Sequence, residues 1–173
     1  FGDLQKAPAR LSELGGSDVL IAAAGSAEVL VQDKAPKGDA TVVFQHETIA
    51  MMRAERAEKI EKLKSLIGAR SVCVPLAKKP ESLWDNITVG RASTADITLE
   101  DPAVSSVHAH FALDPDDKFT VEDVGSSNGS FVNRQPLQAH QPIVLRSGDC
   151  VRFGQTVFYY VNNAMLKELA LAK

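Results

Sequence analysis

The chain has 173 residues, 45% of them hydrophobic and 24% charged, with a formal net charge of −3. That balance excludes wholesale disorder, which needs few apolar residues and a high net charge, and it excludes a nucleic-acid binder driven by bulk positive charge. The length suits one well-buried domain with an extension, and one principal core.

Two cysteines, Cys73 and Cys150, are too few and too far apart for a disulfide framework or a zinc site, so they read as small core residues in a reducing cytosol. The most apolar stretch, residues 19–31, is shorter than a membrane span and carries Glu28; no basic-apolar signal peptide opens the chain. A cytoplasmic protein with no membrane partner is expected. The chain opens on Phe1 rather than Met, as a fragment would.

Residues 1–69 read as an N-terminal helical or α+β region. Residues 8–14 suit a short helix stopped by Gly15 and Gly16. Ser17 suits the N-cap of a second helix over 18–24, ended by Gly25. A helix-turn-helix over 8–24 is disfavoured, because 18–24 offers no Arg, Lys, Asn or Gln to touch bases. Apolar runs at 28–31 and 41–44, separated by a polar loop, predict a hairpin. From about 48 to 67 the pattern becomes that of a long helix: Ile49, Met52, Ile60, Leu63 and Ile67 recur near helical spacing, charges interleave, and Gly68 is a stop.

From residue 70 onward short strand-like runs recur, at 71–76, 87–89, 97–99, 108–113, 119–124, 130–132, 143–145 and 150–161, the last broken near Gly154 and Gln155. Many short strands separated by Pro, Asp, Asn and Gly predict an all-β sandwich or barrel. Residues 114–117 and 147–149 are the clearest hairpin turns. Residues 162–173 read as a C-terminal helix capped by Asn162 or Asn163, with Met165, Leu166 and Leu169 along one side.

The residues that carry chemistry lie between 89 and 133, on turns between these runs. They are Gly90 and Arg91; Ser105, Ser106 and His108; and Ser127, Asn128, Gly129, Ser130 and Asn133. An arginine fork, hydroxyls and an amide, with no acidic group, suit an oxyanion and above all a phosphate. Simpler readings exist: a turn glycine beside an exposed arginine, a capping serine, or a type I′ hairpin at Asn128-Gly129. A Ser105-His108 hydrolase lacks the Gly-x-Ser-x-Gly elbow. His108 and His110 on one strand face invite a metal, but no further Cys or His completes a set. No catalytic residue, metal or cofactor is expected.

The order Gly-Arg, Ser-x-x-His, Ser-Asn-Gly-Ser-x-x-Asn, followed by Leu145, Gly148-Asp149 and Gly154, resembles the forkhead-associated (FHA) domain, a phosphothreonine-reading β-sandwich of about eleven strands. The resemblance covers about residues 70–161. It implies a phosphothreonine-dependent interaction module in Ser/Thr kinase signalling, whose partner is a threonine-phosphorylated protein or peptide. It assigns the phosphate to Arg91, Ser105, Ser106 and Ser127, and the peptide backbone to Asn128. It gives Gly90, His108, Gly129 and Asn133 structural parts, His108 holding its loop from behind. Two positions depart from the pattern: Ser106 stands where a basic residue or asparagine is common, and Ala103 stands in the loop that helps select the residue three beyond the phosphothreonine. The rival expectation is a phosphate-independent scaffold or oligomerisation protein with an idle pocket. Self-association through the N-terminal region is a further expectation, through a phosphate on Thr41 or Thr48 docking in the same or a second copy. The simpler readings there are a strand residue at Thr41 and an N-cap at Thr48.

Overall fold

A computed structural model of the chain describes residues 18–22, 46–66 and 71–171. Its elements in order are β1 (Val19–Ala22), α1 (His46–Leu66), β2 (Val72–Pro75), β3 (Ile87–Gly90), β4 (Ile97–Thr98), β5 (Ala109–Leu113), β6 (Phe119–Asp123), β7 (Ser130–Val132), β8 (Gln135–Pro136), β9 (Ile143–Val144), β10 (Cys150–Phe153), β11 (Thr156–Val161) and α2 (Asn163–Leu171). The strands form two sheets, β2-β1-β11-β10-β7-β8 and β4-β3-β5-β6-β9. Phe111, Val121, Val151 and Phe153, each fully buried, fill the space between them. Two separate sheets make this a sandwich, one of the two architectures that the short apolar runs and turn residues predict and the one the family resemblance implies.

The largest difference from the sequence reading lies in residues 18–24. Val19–Ala22 is a strand, paired antiparallel with β11 on one side and β2 on the other. Ser17 and Gly25 bracket it with helix-like cap signals, but a four-residue apolar run cannot be assigned by periodicity, and burial decides it. Leu20 joins the core between the sheets, whereas Val19 and Ile21 face a second apolar cluster with Leu63 of α1 and Met165, Leu166 and Leu169 of α2. A strand covered on both faces is continuously apolar rather than alternating. The expected single core is thus two clusters, one on each face of the larger sheet.

Helix α1 matches the predicted long helix and reaches from His46, so Thr48 lies in its first turn and is not its N-cap. Residues 54–58 of α1 are exposed, and Ile60 and Leu63 hold the helix to the second cluster. In α2 the Asn162 side chain accepts a hydrogen bond from Met165 N (3.0 Å), capping the helix as expected. Asp18 adds to the junction, accepting Asn163 N (2.8 Å) and the Tyr160 hydroxyl. The side chains of Arg56 and Glu168 pair across the two helices. None of the described helices is long and apolar enough to cross a membrane. Residues 8–14, the 28–31 and 41–44 runs, Thr41 and Ile67 lie outside the described residues.

Two turns also differ from expectation. Residues 114–117 do close the β5–β6 hairpin, with Asp117 at φ 57°. Residues 147–149, by contrast, join β9 in one sheet to β10 in the other. Asn128-Gly129 likewise crosses between sheets, and only Gly129 has positive φ (73°), which is not the type I′ geometry. The type I′ pattern belongs to Asn133-Arg134, at φ 48° and 68°, between the paired residues Val132 and Gln135.

Leu20→Ala tests the placement of β1. Removing a fully buried leucine side chain from the middle of the sandwich should lower unfolding free energy by about 2–5 kcal/mol, measured by urea denaturation. A midpoint equal to the parent's would show that residues 19–22 are an appendage and not part of the sheet.

Candidate phosphate-binding site

Three connections meet at one end of the sandwich: β3–β4, which starts with Arg91; β4–β5, which carries Ser105 and Ser106; and β6–β7, which carries Ser127 to Gly129. Backbone bonds join the first two, Arg91 N to Ser105 O (2.9 Å) and Ala92 N to Ser106 O (3.1 Å). The approach is so close at Gly90 that a Cβ there would lie 2.1 Å from Ser106 O, so only glycine fits. Arg91 is exposed, and its Nε donates to Val104 O (3.2 Å), which sets the guanidinium against the chain next to Ser105. The ion pairs of the described residues involve Arg56, Lys64, Lys118 and His140; Arg91 is in none of them.

The Ser105 and Ser127 loops touch through their serines. Ser105 Oγ accepts Ser127 N (3.1 Å) and lies 3.5 Å from Ser127 Oγ. The Ser105 hydroxyl proton faces Ser127 Oγ across that long 3.5 Å contact, and a hydroxyl rotor can turn from so weak a partner to an incoming oxyanion. Ser106 is exposed beside it. Asn128 Nδ2 donates to Ala103 O (2.8 Å), so half of the amide expected to meet a peptide is committed to the neighbouring loop.

His108 lies behind this surface, fully buried. Its Nδ1 accepts Ser105 N (3.0 Å), which leaves Nε2 to donate to Gly129 O (3.3 Å). One neutral ring thus links the two serine loops. Burial pushes its pKa below the usual imidazole range, against the opposing pull of the Gly129 carbonyl and the charges of Asp123 and Asp101. The expected shared face with His110 does not exist. The His108 ring meets Phe153 edge-on in the core (5.7 Å), whereas His110 lies beside Trp84 (5.9 Å). The chain leaves the β5 pleat at residue 108, so i, i+2 alternation no longer applies there. No group of three or more His, Cys, Asp or Glu placed to hold a metal occurs among the described residues.

Sequence reading missed the carboxylates that brace these loops. Asp123 is buried and accepts Gly125 N (2.9 Å), Ser126 N (2.8 Å), Ser126 Oγ (2.6 Å) and Ser130 Oγ (2.6 Å), fixing the chain that enters the Ser127 turn. Burial alone would raise its pKa, but these hydrogen bonds outweigh it and hold the carboxyl below its usual range. Asp101 accepts Ala103 N (2.8 Å), Gln155 N (2.8 Å) and Thr156 Oγ1 (3.0 Å), joining the β4–β5 loop to the β10–β11 turn. An Asp followed two to three residues later by Gly or Ser is a side-chain turn signal that makes Asp123 findable. Asn133 bonds Asp149 (2.9 Å) and receives Cys150 N (3.0 Å), away from the loop end.

Residues 87–154 match the FHA domain family. Over 68 residues the chain is 44% identical to the glycogen accumulation regulator GarA of Mycobacterium tuberculosis, covering 39% of this chain and 40% of that one. It is 47% identical over 68 residues to the oxoglutarate dehydrogenase inhibitor of Corynebacterium diphtheriae, covering 39% and 45%. The chain spans less than half the length of these curated relatives. Among solved structures, the FHA domain of a Chlamydia trachomatis protein is 27% identical, covers 53% of this chain and 85% of that one, and gives a TM-score of 0.44.

The neutral state of His108 has a pH signature. The folded ring binds a proton more weakly than an unfolded histidine of pKa 6.5, so the unfolded chain holds more protons below that pH. The stabilisation is complete above that value and is lost as pH falls through it. Burial lowers the pKa of His110 as well, so the parent's loss has two sources. His108→Gln, which keeps an acceptor and a donor, should flatten part of the decline in melting temperature on acidification. Superimposable pH profiles for parent and variant would contradict the neutral bridge.

Proposed function

We propose, from the premise that residues 87–154 form an FHA domain, that the chain binds phosphothreonine-containing segments of protein partners at the loop end of the sandwich. On this reading a Ser/Thr kinase creates the ligand and the module itself performs no chemistry. The observation that carries the reading is the donor set around Ser105: an unpaired Arg91 guanidinium held on Val104 O, and a Ser105 hydroxyl whose lone pair is taken by Ser127 N. A phosphate carrying about −1.5 to −2 charges and three acceptor oxygens complements such a set, and an uncharged threonine does not. Arg91 supplies the charge and the fork, Ser105, Ser106 and Ser127 supply hydroxyl donors, and the free carbonyl of Asn128 accepts from the peptide backbone. Gly90, His108 and Gly129 keep the loops at the separation this requires.

The regulator and inhibitor names of the matched relatives belong to those proteins. They agree with a binding role here and leave the partner to experiment.

Arg91→Ala should weaken binding by about 2–5 kcal/mol, the cost of removing one partner of a desolvated charge pair. The measurement is calorimetric titration of the tightest peptide from a degenerate phosphothreonine library into both forms. Its unphosphorylated twin should give no detectable heat with either. Equal affinity of the twin for the parent would instead favour the phosphate-independent scaffold.

A further inference from the structure

Arg91 opens the β3–β4 connection, and nothing in the binding surface explains what fixes the far side of that connection. The explanation lies in the segment between β2 and β3. Lys79 is half-buried there, and its ammonium donates to Ser93 O (3.0 Å), to Ala95 O and to Thr98 Oγ1 (3.4 Å). Its backbone N donates to Asp96 Oδ1 (2.8 Å). Asp96 Oδ2 in turn accepts Ser82 Oγ (3.1 Å), Thr88 N (2.7 Å) and Thr88 Oγ1 (2.8 Å). The turn is closed by Ala95 N on Ala92 O (3.0 Å), directly after Arg91.

The chemistry of the contact is informative. A surface lysine is ordinarily solvated or faces a carboxylate, and holding its long side chain in one place costs rotamer freedom. Here the donors of a compact ammonium are directed at two carbonyls of the β3–β4 turn and at the Thr98 hydroxyl of β4, which ends it. The loop is therefore gripped on both sides: at Arg91 and Ala92 by the backbone of Ser105 and Ser106, and at residues 93–98 by Lys79.

We propose that Lys79 is a positioning residue for phosphate recognition, which holds the β3–β4 turn from beneath so that the Arg91 guanidinium stays over the Ser105 loop. This rests on the phosphothreonine reading given above. Lys79 touches no ligand and acts through the turn that follows Arg91.

The test is a double-mutant cycle on the full chain, read by calorimetry with the tightest library phosphopeptide, at a temperature where circular dichroism shows every variant folded. Lys79→Met should bind about tenfold more weakly, the lower end of what losing the support behind a ligating group costs. Lys79→Arg, which keeps a cation and donors, should recover most of that loss. In an Arg91→Lys background, which retains charge but lacks the fork, Lys79→Met should cost no more than about twofold. A merely structural lysine would weaken binding by the same factor in both backgrounds, and that result overturns the proposal. So does unchanged affinity of Lys79→Met when Arg91→Lys is weakened, which leaves the phosphate reading intact. If Arg91→Lys and Arg91→Ala both bind as the parent does, the phosphate reading fails and the proposal with it. Should Lys79→Met not fold, Lys79→Gln carries the same comparison.

Discussion

One neutral imidazole ties together the loop end of this molecule where the candidate site lies. His108 has no exposed surface, accepts the Ser105 amide at one nitrogen and faces the Gly129 carbonyl with the other. The ring can do both only in one tautomer and only without a second proton. Two loops far apart in sequence are therefore referenced to a single rigid ring, which is itself pressed against Phe153 in the core. Their spacing is inherited from the packing of the sandwich and does not depend on the flexibility of the loops. The Ser105–Ser127 contact presupposes that spacing, and the close approach at Gly90 joins the Arg91 turn to the Ser105 loop so held.

The opposite face of the larger sheet is built differently. Between β1 and β2 the chain includes α1, and α1 packs with α2 over Val19, Ile21, Tyr159 and Val161. The sheet is buried on both faces at this point, so its middle strand is apolar at every position. The charged and polar groups at that junction are matched locally, Asp18 with Tyr160 and Asn163, and Arg56 with Glu168. Burial pushes the thiols of Cys73 and Cys150 up, which suits packing residues better than reactive ones. The helical layer and the loops of the candidate site thus lie against different apolar clusters and share only the larger sheet between them.

Much of the architecture was legible because the relevant signals are local. Short strands betray themselves by turn residues, α2 by its Asn162 cap and its apolar spacing, and α1 by charges interleaved with Ile60 and Leu63. The candidate site residues are visible for the same reason: Arg91, Ser105 and Ser127 lie in turns between the apolar runs. What the sequence concealed depends on distant partners. A run of Val-Leu-Ile-Ala is a strand here because β11 and β2 flank it, and neither is near it in sequence. Asn-Gly at 128–129 announces a turn but cannot say that the strands around it belong to different sheets. Asp123 and Lys79 are ordinary charged residues until the oxygens and amides they bind are known. Alternation puts His108 and His110 on one face, but the regular strand begins only at Ala109, one residue later than alternation assumes.

Distant loop tips that form a prearranged anion cradle should respond together to a phosphate, which backbone amide NMR of the intact chain can read. Adding a phosphothreonine peptide should shift the amides of Arg91, Ser105, Ser106 and Ser127 first and most, with the α1–α2 layer and the His108 core unmoved, and the dephosphorylated peptide should shift none of them. Shifts of equal size with both peptides, or shifts concentrated in α1 and α2, would contradict it.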